Sequence, residues 1–300
     1  MKNIYITGAT SFIGVNLIKE LLNKGYNVIA IIRNKSKNKD LLNGFKNIKI
    51  IELDMEEMEK LPSLTDIRCD IFYHLAWNGT RGEARDNKKI QEDNYFNSIK
   101  VLKVAKKMGC KTFFSAGSQA EYGLHDCIVT EETIEKPVTE YGKNKLKFCN
   151  YAMDYCKNNN MVFIEPRFFS LYGVGDNENT LIINAIDKML RNEIINLTAC
   201  IQKWNYLNIK DAVDALIKLQ DVNKSGIYNF GSTDTRLLKD FIDEMYNITK
   251  SKSVINYGII PYSKAGIVNV NPCIDKLVNE INWVPKIKFC DGIKEIVEKR

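Results

Sequence analysis

The sequence predicts an α/β fold: a doubly wound parallel sheet covered by helices on both faces, with a smaller C-terminal α/β part. Three observations carry this. The chain opens on a short apolar run, a glycine turn and a helical pattern. Strand and helix patterns then alternate to about residue 170, the signature of parallel strands joined by crossover helices. Beyond that point the alternation loosens, with no low-complexity linker and no internal repeat. Residues 1–170 are therefore read as one domain and 171–300 as a second.

The elements follow in order. Residues 3–7 (Asn-Ile-Tyr-Ile-Thr) make a buried first strand. A Gly8–Gly14 turn leads to helical spacing over 15–24, ending at Gly25. Strands follow at 27–32, 48–51 and 70–75, then an amphipathic helix at 93–107 and a strand at 112–116. Residues 141–158 read as a helix and 161–165 as a strand; later helices are expected at 181–191, 211–220 and 237–249, with short strands between.

Composition narrows the function. The net charge is +6, but lysines alternate with acids, which describes a solvated surface better than a nucleic-acid footprint. No run approaches the ~18 apolar residues of a membrane span, and the N-terminus is already a strand rather than a signal peptide. Eight scattered cysteines without a Cys-x-x-Cys, and two histidines, argue against zinc or any metal and for a reduced, cytoplasmic protein.

Two patterns carry chemistry. Strand, glycine turn and helix together suggest a dinucleotide site: Gly8 permits the tight turn, and the helix start offers free N–H groups and a positive dipole end to a pyrophosphate. Tyr141 and Lys145 lie four apart on one helical face. An ammonium beside a phenol favours the phenolate and lowers its pKa from about 10, so such a tyrosine exchanges a proton with an alcohol or ketone near neutral pH.

These residues together resemble the extended short-chain dehydrogenase/reductase family, particularly its nucleotide-sugar epimerases, dehydratases and reductases. The family's Thr-Gly-x-x-Gly-x-x-Gly reads Thr7-Gly8-Ala9-Thr10-Ser11-Phe12-Ile13-Gly14 here, with Ser11 replacing the middle glycine and its Cβ expected to crowd the phosphate slightly. Asn282-Trp283-Val284-Pro285 looks like the family's Gly-Trp-x-Pro. The resemblance implies a Rossmann domain, a smaller C-terminal substrate-binding domain and an NAD(P) cofactor. Thr10 to Gly14, Trp77, Pro166 and the Tyr141–Lys145 pair would line the cofactor site, Lys145 binding the nicotinamide ribose. Asp54-Met55 resembles the adenine contact and Leu75-Ala76 the strand-four platform, which makes His74 a packed residue. The second strand ends at Ile32 and Arg33, with Lys35 and Lys37 behind, where an NAD-preferring chain often carries an acid. An arginine there grips a 2′-phosphate, favouring NADP, with NAD as the alternative.

Phe113 to Gly123 resembles the family's strand-five segment, which puts Ser118 in register as the hydroxyl donor that helps Tyr141 hold a substrate oxygen; Ser115 is out of that register. Family 4,6-dehydratases carry Asp-Glu directly after this residue. Gln119-Ala120 cannot ionise, so elimination by that route is disfavoured. His125 and Cys127 fall in an unaligned loop. Ketone reduction, alcohol oxidation, or both in turn as a 4-epimerase remain, and Arg33 tips the reading toward an NADPH-driven 4-keto reductase of bacterial-type polysaccharide sugar synthesis. A non-catalytic NADP-sensing relative is a third class, opposed by the retention of Ser118, Tyr141 and Lys145.

The substrate end departs from the pattern. Pro166-Arg167-Phe-Phe169-Ser170-Leu-Tyr-Gly173 resembles Arg-x-x-Asn-x-Tyr-Gly with Ser170 in the asparagine's place, and Trp204 stands where an arginine commonly meets the diphosphate. The second arginine, before Asp275-Lys276, is also missing, with Asn271 nearby, which leaves Lys203, Lys264 or Arg167 to compensate. Thr80 and Arg81 follow strand four, at the sheet edge where ligands bind, and join Gln119, Phe169, Ser170 and Trp204 as substrate contacts. The resemblance also implies a homodimer through helices 93–107 and 141–158, with Ile99, Phe148 and Tyr151 as apolar contacts.

Overall fold

Apolar runs four to seven residues long, bounded by glycine, asparagine or charge, fold as interior strands of the computed structural model. It describes residues 2–36, 38–262 and 267–300; Lys37 and Lys264, weighed above as cations, lie outside the described residues. The strands are β1 (Asn3–Thr7), β2 (Asn27–Ile32), β3 (Ile48–Glu52), β4 (Ile71–His74), β5 (Thr112–Ser115), the short β6 (Gly117–Ser118) and β7 (Val162–Phe168). Between them run helices α1 (Phe12–Asn23), the one-turn α2 (Leu61–Leu64), α3 (Lys88–Lys107) and α4 (Glu140–Asn158). Further on come β8 (Leu171–Tyr172), α5 (Leu181–Leu190), β9 (Ile195–Asn196), β10 (Lys203–Asn205), β11 (Leu207–Asn208), α6 (Ile209–Lys218), β12 (Gly226–Phe230), β13 (Thr235–Leu237), α7 (Leu238–Thr249), β14 (Ile255–Asn256), α8 (Asp275–Ile281) and α9 (Phe289–Glu298).

The main sheet has the order β12-β7-β5-β4-β1-β2-β3, with β6 against β7. From β1 the chain winds one way through β2 and β3 and the other way through β4, β5 and β7, with parallel pairings. The winding reverses between β1 and β4, and the crevice at their carboxyl ends is where such sheets hold ligands. One sheet face is an aromatic ladder in register, Tyr5–Phe72–Phe113–Phe163, with ring centroids 6.1, 5.5 and 6.5 Å apart. It packs on Val101, Leu102, Phe148 and Ala152 of α3 and α4, all fully buried. Burying one such ring contributes roughly 1.5–3 kcal/mol.

The chain divides into two compact units. The first comprises 2–123, 133–168 and 213–228; the second comprises 124–132, 169–212, 229–262 and 267–300. The second unit is built from two-stranded pairs, β8 with β11, β10 with β13 and β9 with β14. Its core joins Ile182 and Ile186 of α5 to Phe241 of α7 and to Phe289 and Ile293 of α9. Asn282 stands in the left-handed conformation at φ 48°, which explains why a glycine suits that motif position, and Trp283 beside it is buried.

Several element edges differ from the sequence reading. Helix α1 starts three residues earlier than expected because Ser11 caps it, its hydroxyl taking the Gly14 N–H at 3.0 Å. Helix α3 starts at Lys88 rather than 93, capped by Asn87, because its polar first turn carries no apolar stripe. Strand β7 extends to Phe168; Pro166 is tolerated because it falls between the stretch paired with β5 and the stretch paired with β6. Phe148 is fully buried in the monomer, so it is core rather than a dimer contact; Ile99 and Tyr151 are half-buried against the same core. No helix among the described residues is long and apolar enough to cross a membrane.

Candidate active site

The β1–α1 turn is shaped for a close backbone approach. Gly8 has φ 67°, and a Cβ on it would lie 2.8 Å from the Ala76 nitrogen; a Cβ on Gly14 would lie 2.3 Å from the Gly8 carbonyl oxygen. A side chain on Gly8 would push the turn away from the chain after β4, and one on Gly14 would push α1 away from the turn. Ser11 satisfies one N–H of the first turn, while those of Phe12 and Ile13 meet no acceptor among the described residues. Two free N–H groups at a helix start fit a pyrophosphate. The Ser11 hydroxyl turns back onto the helix, so only its Cβ borders the phosphate approach.

A cleft of about 220 Å³ opens above this turn, lined by Gly8, Thr10, Ser11, Arg33, Asp54 and Met55 together with Leu75, Ala76 and Trp77. The Asp54 carboxylate takes both the backbone and side-chain N–H of Asn34, each at 3.1 Å, fixing the loop after β2. Arg33 is exposed and makes no ion pair among the described residues. Phe12, Ile13 and Gly14 lie in α1 below the cleft. Pro166 is buried inside β7 and does not line the cleft. A dinucleotide fits these residues: a glycine cradle, open N–H groups and a free cation at the strand-two end.

Beneath the cleft, His74 bridges β1 and α3. Ser98 donates to the Asn94 carbonyl at 2.7 Å, so His74 Nε2–H donates to Ser98 at 2.9 Å and Nδ1 accepts from the Thr7 hydroxyl at 2.8 Å. Burial, helped by the Lys145 charge, holds the imidazole pKa down at about 3. It is a neutral structural group.

Helix α4, capped by Thr139, presents Tyr141 and Lys145 to the end of β6, which carries Ser118. Tyr141 is 8 % exposed, with Ser118 among the groups that act on its phenol. Burial pushes its pKa up to about 12, Ser118 and Arg85 pulling against that and Glu121 and Glu165 adding to it. This corrects the sequence argument that the neighbouring lysine dominates the phenol. Lys145 is 3 % exposed; its Nζ donates to the Ala116 carbonyl at 2.5 Å, lies 3.8 Å from the Trp77 ring centroid and 5.9 Å from that of Tyr141. Burial draws the lysine down to about 8 against the pull of Glu121 and Glu165.

The loop after β4 is tied to both helices. Trp77 Nε1 donates to Gln91 Oε1 at 2.8 Å, and Gln91 Nε2 donates to the Gly79 and Ala84 carbonyls at 2.9 and 2.8 Å. Asn94 exchanges two bonds with the Asn78 backbone, and Asp86 takes the Glu140 N–H at 3.1 Å. The loop sets the Trp77 ring edge-on to Tyr141, 6.2 Å away at 88°, and Arg85 4.8 Å from the Tyr141 ring centroid. Thr80 and Arg81, the contacts expected from sequence, are exposed on this loop; Arg85, four residues on, is the one that meets the tyrosine. Nothing in its local spacing marked it.

Arg167 is fully buried, paired with Glu165 at 3.0 Å, Glu135 at 3.1 Å and Glu121 at 3.3 Å. Three carboxylates consume its charge, which overturns its place as a compensating cation for a diphosphate. Glu121 also takes the Ser118 N–H at 2.7 Å, so this ionic core holds the β6 strand. Gln119 opens the 3₁₀ turn behind Ser118.

Phe169, Ser170 and Trp204 belong to the second unit. The Phe169 N–H donates to Phe230 and the Ser170 carbonyl accepts from Leu207. Trp204 is half-buried beside Tyr206, centroids 6.3 Å apart, and its buried indole N–H has no hydrogen-bond partner among the described residues. Lys203 is exposed at the start of β10.

A family model described as the NAD dependent epimerase/dehydratase family matches residues 4–231. CDP-abequose synthase of Salmonella muenchen is 25 % identical over 304 residues, covering 100 % of this chain and 98 % of its own. Among solved structures, the UDP-glucose 4-epimerase of Thermotoga maritima with UDP-glucose superposes with a TM-score of 0.90 at 22 % identity, covering 99 % of this chain and 97 % of that one. The UDP-glucuronic acid 4-epimerase of Bacillus cereus in complex with NAD gives 0.84 at 21 % identity, covering 99 % and 96 %. These two speak to the fold.

Proposed function

The chain belongs to the NAD dependent epimerase/dehydratase family of nucleotide-sugar enzymes within the extended short-chain dehydrogenases/reductases, and from that premise we propose that it reduces a 4-keto group of a nucleotide-activated sugar with NADPH, in the making of a surface-polysaccharide sugar. The observation that carries this is the placement of Tyr141 and Lys145 on one helix facing the strand end that bears Ser118, with burial keeping the phenol protonated at neutral pH. A phenol in that form is ready to give a proton to a ketone oxygen. A bound nicotinamide cofactor supplies the hydride.

Ser118 and Tyr141 hold the substrate oxygen, and Tyr141 protonates it as negative charge builds there. Lys145, as an ammonium, binds the cofactor ribose and offsets the phenolate left behind. Gln119 and Ala120, directly after Ser118, carry no acid or base for removing water, which supports reduction over elimination. Free Arg33 supports NADPH: its guanidinium suits a 2′-phosphate. Thr80, Arg81, Phe169, Ser170 and Trp204 are proposed to meet the sugar nucleotide.

A second reading, a 4-epimerase with retained NAD, is favoured by the family's description and by relatives named as 4-epimerases. The deciding experiment is to identify the copurifying cofactor and offer GDP-, CDP-, dTDP- and UDP-4-keto sugars while following NADPH absorbance. Consumption of NADPH with one of these supports reduction. Tightly held NAD, with interconversion of 4-epimers and no net NADPH loss, replaces it with the second reading.

The homodimer is proposed through α3 and α4: Phe96 is 57 % exposed beside Tyr95, and half-buried Tyr151 and Tyr155 stack on the same helix pair. Light scattering of the wild type and F96E tests it, since a charge there separates the copies.

A further inference from the structure

We propose that Arg85 is a positioning residue of the reaction centre: its guanidinium, held over the Tyr141 ring by the loop after β4, stabilises the phenolate form of that tyrosine. The proposal rests on Tyr141 as the proton-transfer group.

Three observations converge. Arg85 Cζ lies 4.8 Å from the Tyr141 ring centroid, within cation–π range. Arg85 makes no ion pair among the described residues, so no carboxylate neutralises it. The segment that carries it is built rather than loose: buried Gln91 binds the Gly79 and Ala84 carbonyls, and Asp86 binds the first turn of the helix bearing Tyr141. The arginine and the tyrosine are therefore tied into one frame from both sides.

The other charges facing Tyr141 are less well placed for this role. Glu121 and Glu165 oppose the phenolate. Lys145 directs its Nζ to the Ala116 carbonyl and the Trp77 ring, farther from the phenol ring than Arg85. Ser118 carries no charge. Arg85 is thus the nearer of the two cations over the phenol ring among the described residues, and the nearest contacts of Lys145 are elsewhere.

Phenolate content can be read without turnover, because tetranitromethane nitrates a tyrosine through its phenolate. The full-length wild type, R85M and R85K are treated at one alkaline pH, and nitration at Tyr141 is followed by site-resolved mass spectrometry, with Tyr151 as internal reference. Methionine keeps an unbranched cover on the ring without charge; lysine keeps the charge. The expected result is a fall of about tenfold in the Tyr141 rate in R85M, largely restored in R85K, with Tyr151 unchanged. An R85M rate equal to or above the wild type, or R85K as slow as R85M, overturns the proposal. Because no substrate enters this measurement, it stands apart from the assigned reaction, which fails separately if Y141F keeps its turnover.

Discussion

Lys145 Nζ sits 3.8 Å from the centroid of the Trp77 ring, so the ammonium of the proposed Tyr141–Lys145 pair rests on an indole face rather than against a carboxylate. Burial has already drawn this lysine down to about 8, and the indole's attraction for a cation opposes further loss. The ammonium form prevails below that value and is lost as pH rises through it. Trp77→Leu removes the attraction and lowers the lysine pKa again. The alkaline limb of the turnover profile, near pH 8 in the wild type, is expected to move down by about one pH unit. Superimposable profiles would exclude a role for the indole.

Tyr141→Phe keeps the ring, the Trp77 edge contact and the Arg85 contact while deleting the proton. Turnover is expected to drop by about 10²–10⁴-fold, and cofactor affinity, measured by fluorescence titration, should hold. Loss of both would assign the phenol to binding instead.

Arg33→Ala tests the cofactor. A charge-assisted hydrogen bond contributes about 1.5–3 kcal/mol, so the NADPH-over-NADH ratio in kcat/KM should fall by about 10- to 100-fold. An unchanged ratio would mean that the arginine is only a surface charge after β2.

His74 sets an acid limit on stability. The unfolded chain binds a proton on this histidine below about 6.5, whereas the folded one resists until about 3. Between those values the unfolded state holds more protons, so stability falls as pH falls, by roughly 2 kcal/mol at pH 5 from this group. Urea unfolding at pH 7 and pH 5 should show that loss in the wild type, and a smaller one in His74→Asn.

Ser11 is expected to matter as a cap. Ser11→Ala should cost about 1 kcal/mol and Ser11→Gly only a few tenths, visible as an ordered pair of melting temperatures. Equal losses would point away from the Gly14 N–H bond as its contribution.

The sheet was readable because its strands are short, buried and broken by glycine or charge: β1 and β2 fall on the residues expected. The missed pieces lack that contrast. Helix α3 begins on a turn of lysines and polar residues, where a cap and not a hydrophobic stripe marks the start. Helix α8 is only seven residues long; α9 is the exception, because its buried Phe289, Ile293 and Ile296 do repeat at i, i+4 and i+7. In the site, Ser118, Tyr141 and Lys145 could be found because their chemistry depends on spacing along one strand end and one helix. Arg85 reaches Tyr141 across 56 residues of sequence, through a loop shaped by Gln91 and Asn94, and no periodicity encodes such a contact. Arg167 shows the converse: its motif position suggested a ligand, but Glu135, 32 residues away, and the neighbouring Glu121 and Glu165 turn it inward.

Strand β12 stands at the outer edge of the main sheet, next to β7, although 57 residues separate Phe168 from Gly226. Helix α6 belongs partly to the same unit: the Tyr73 hydroxyl donates to the Leu216 carbonyl, and Gln220 donates back to Tyr73. A ribosome therefore releases β1 to β7 well before the pieces that cover Tyr73 and flank β7 have been made. Until residue 230 emerges, the nascent sheet carries an open margin, and a chain halted near residue 170 keeps it permanently. The first compact unit therefore needs residues up to 228 and is not completed by the segment that ends at β7.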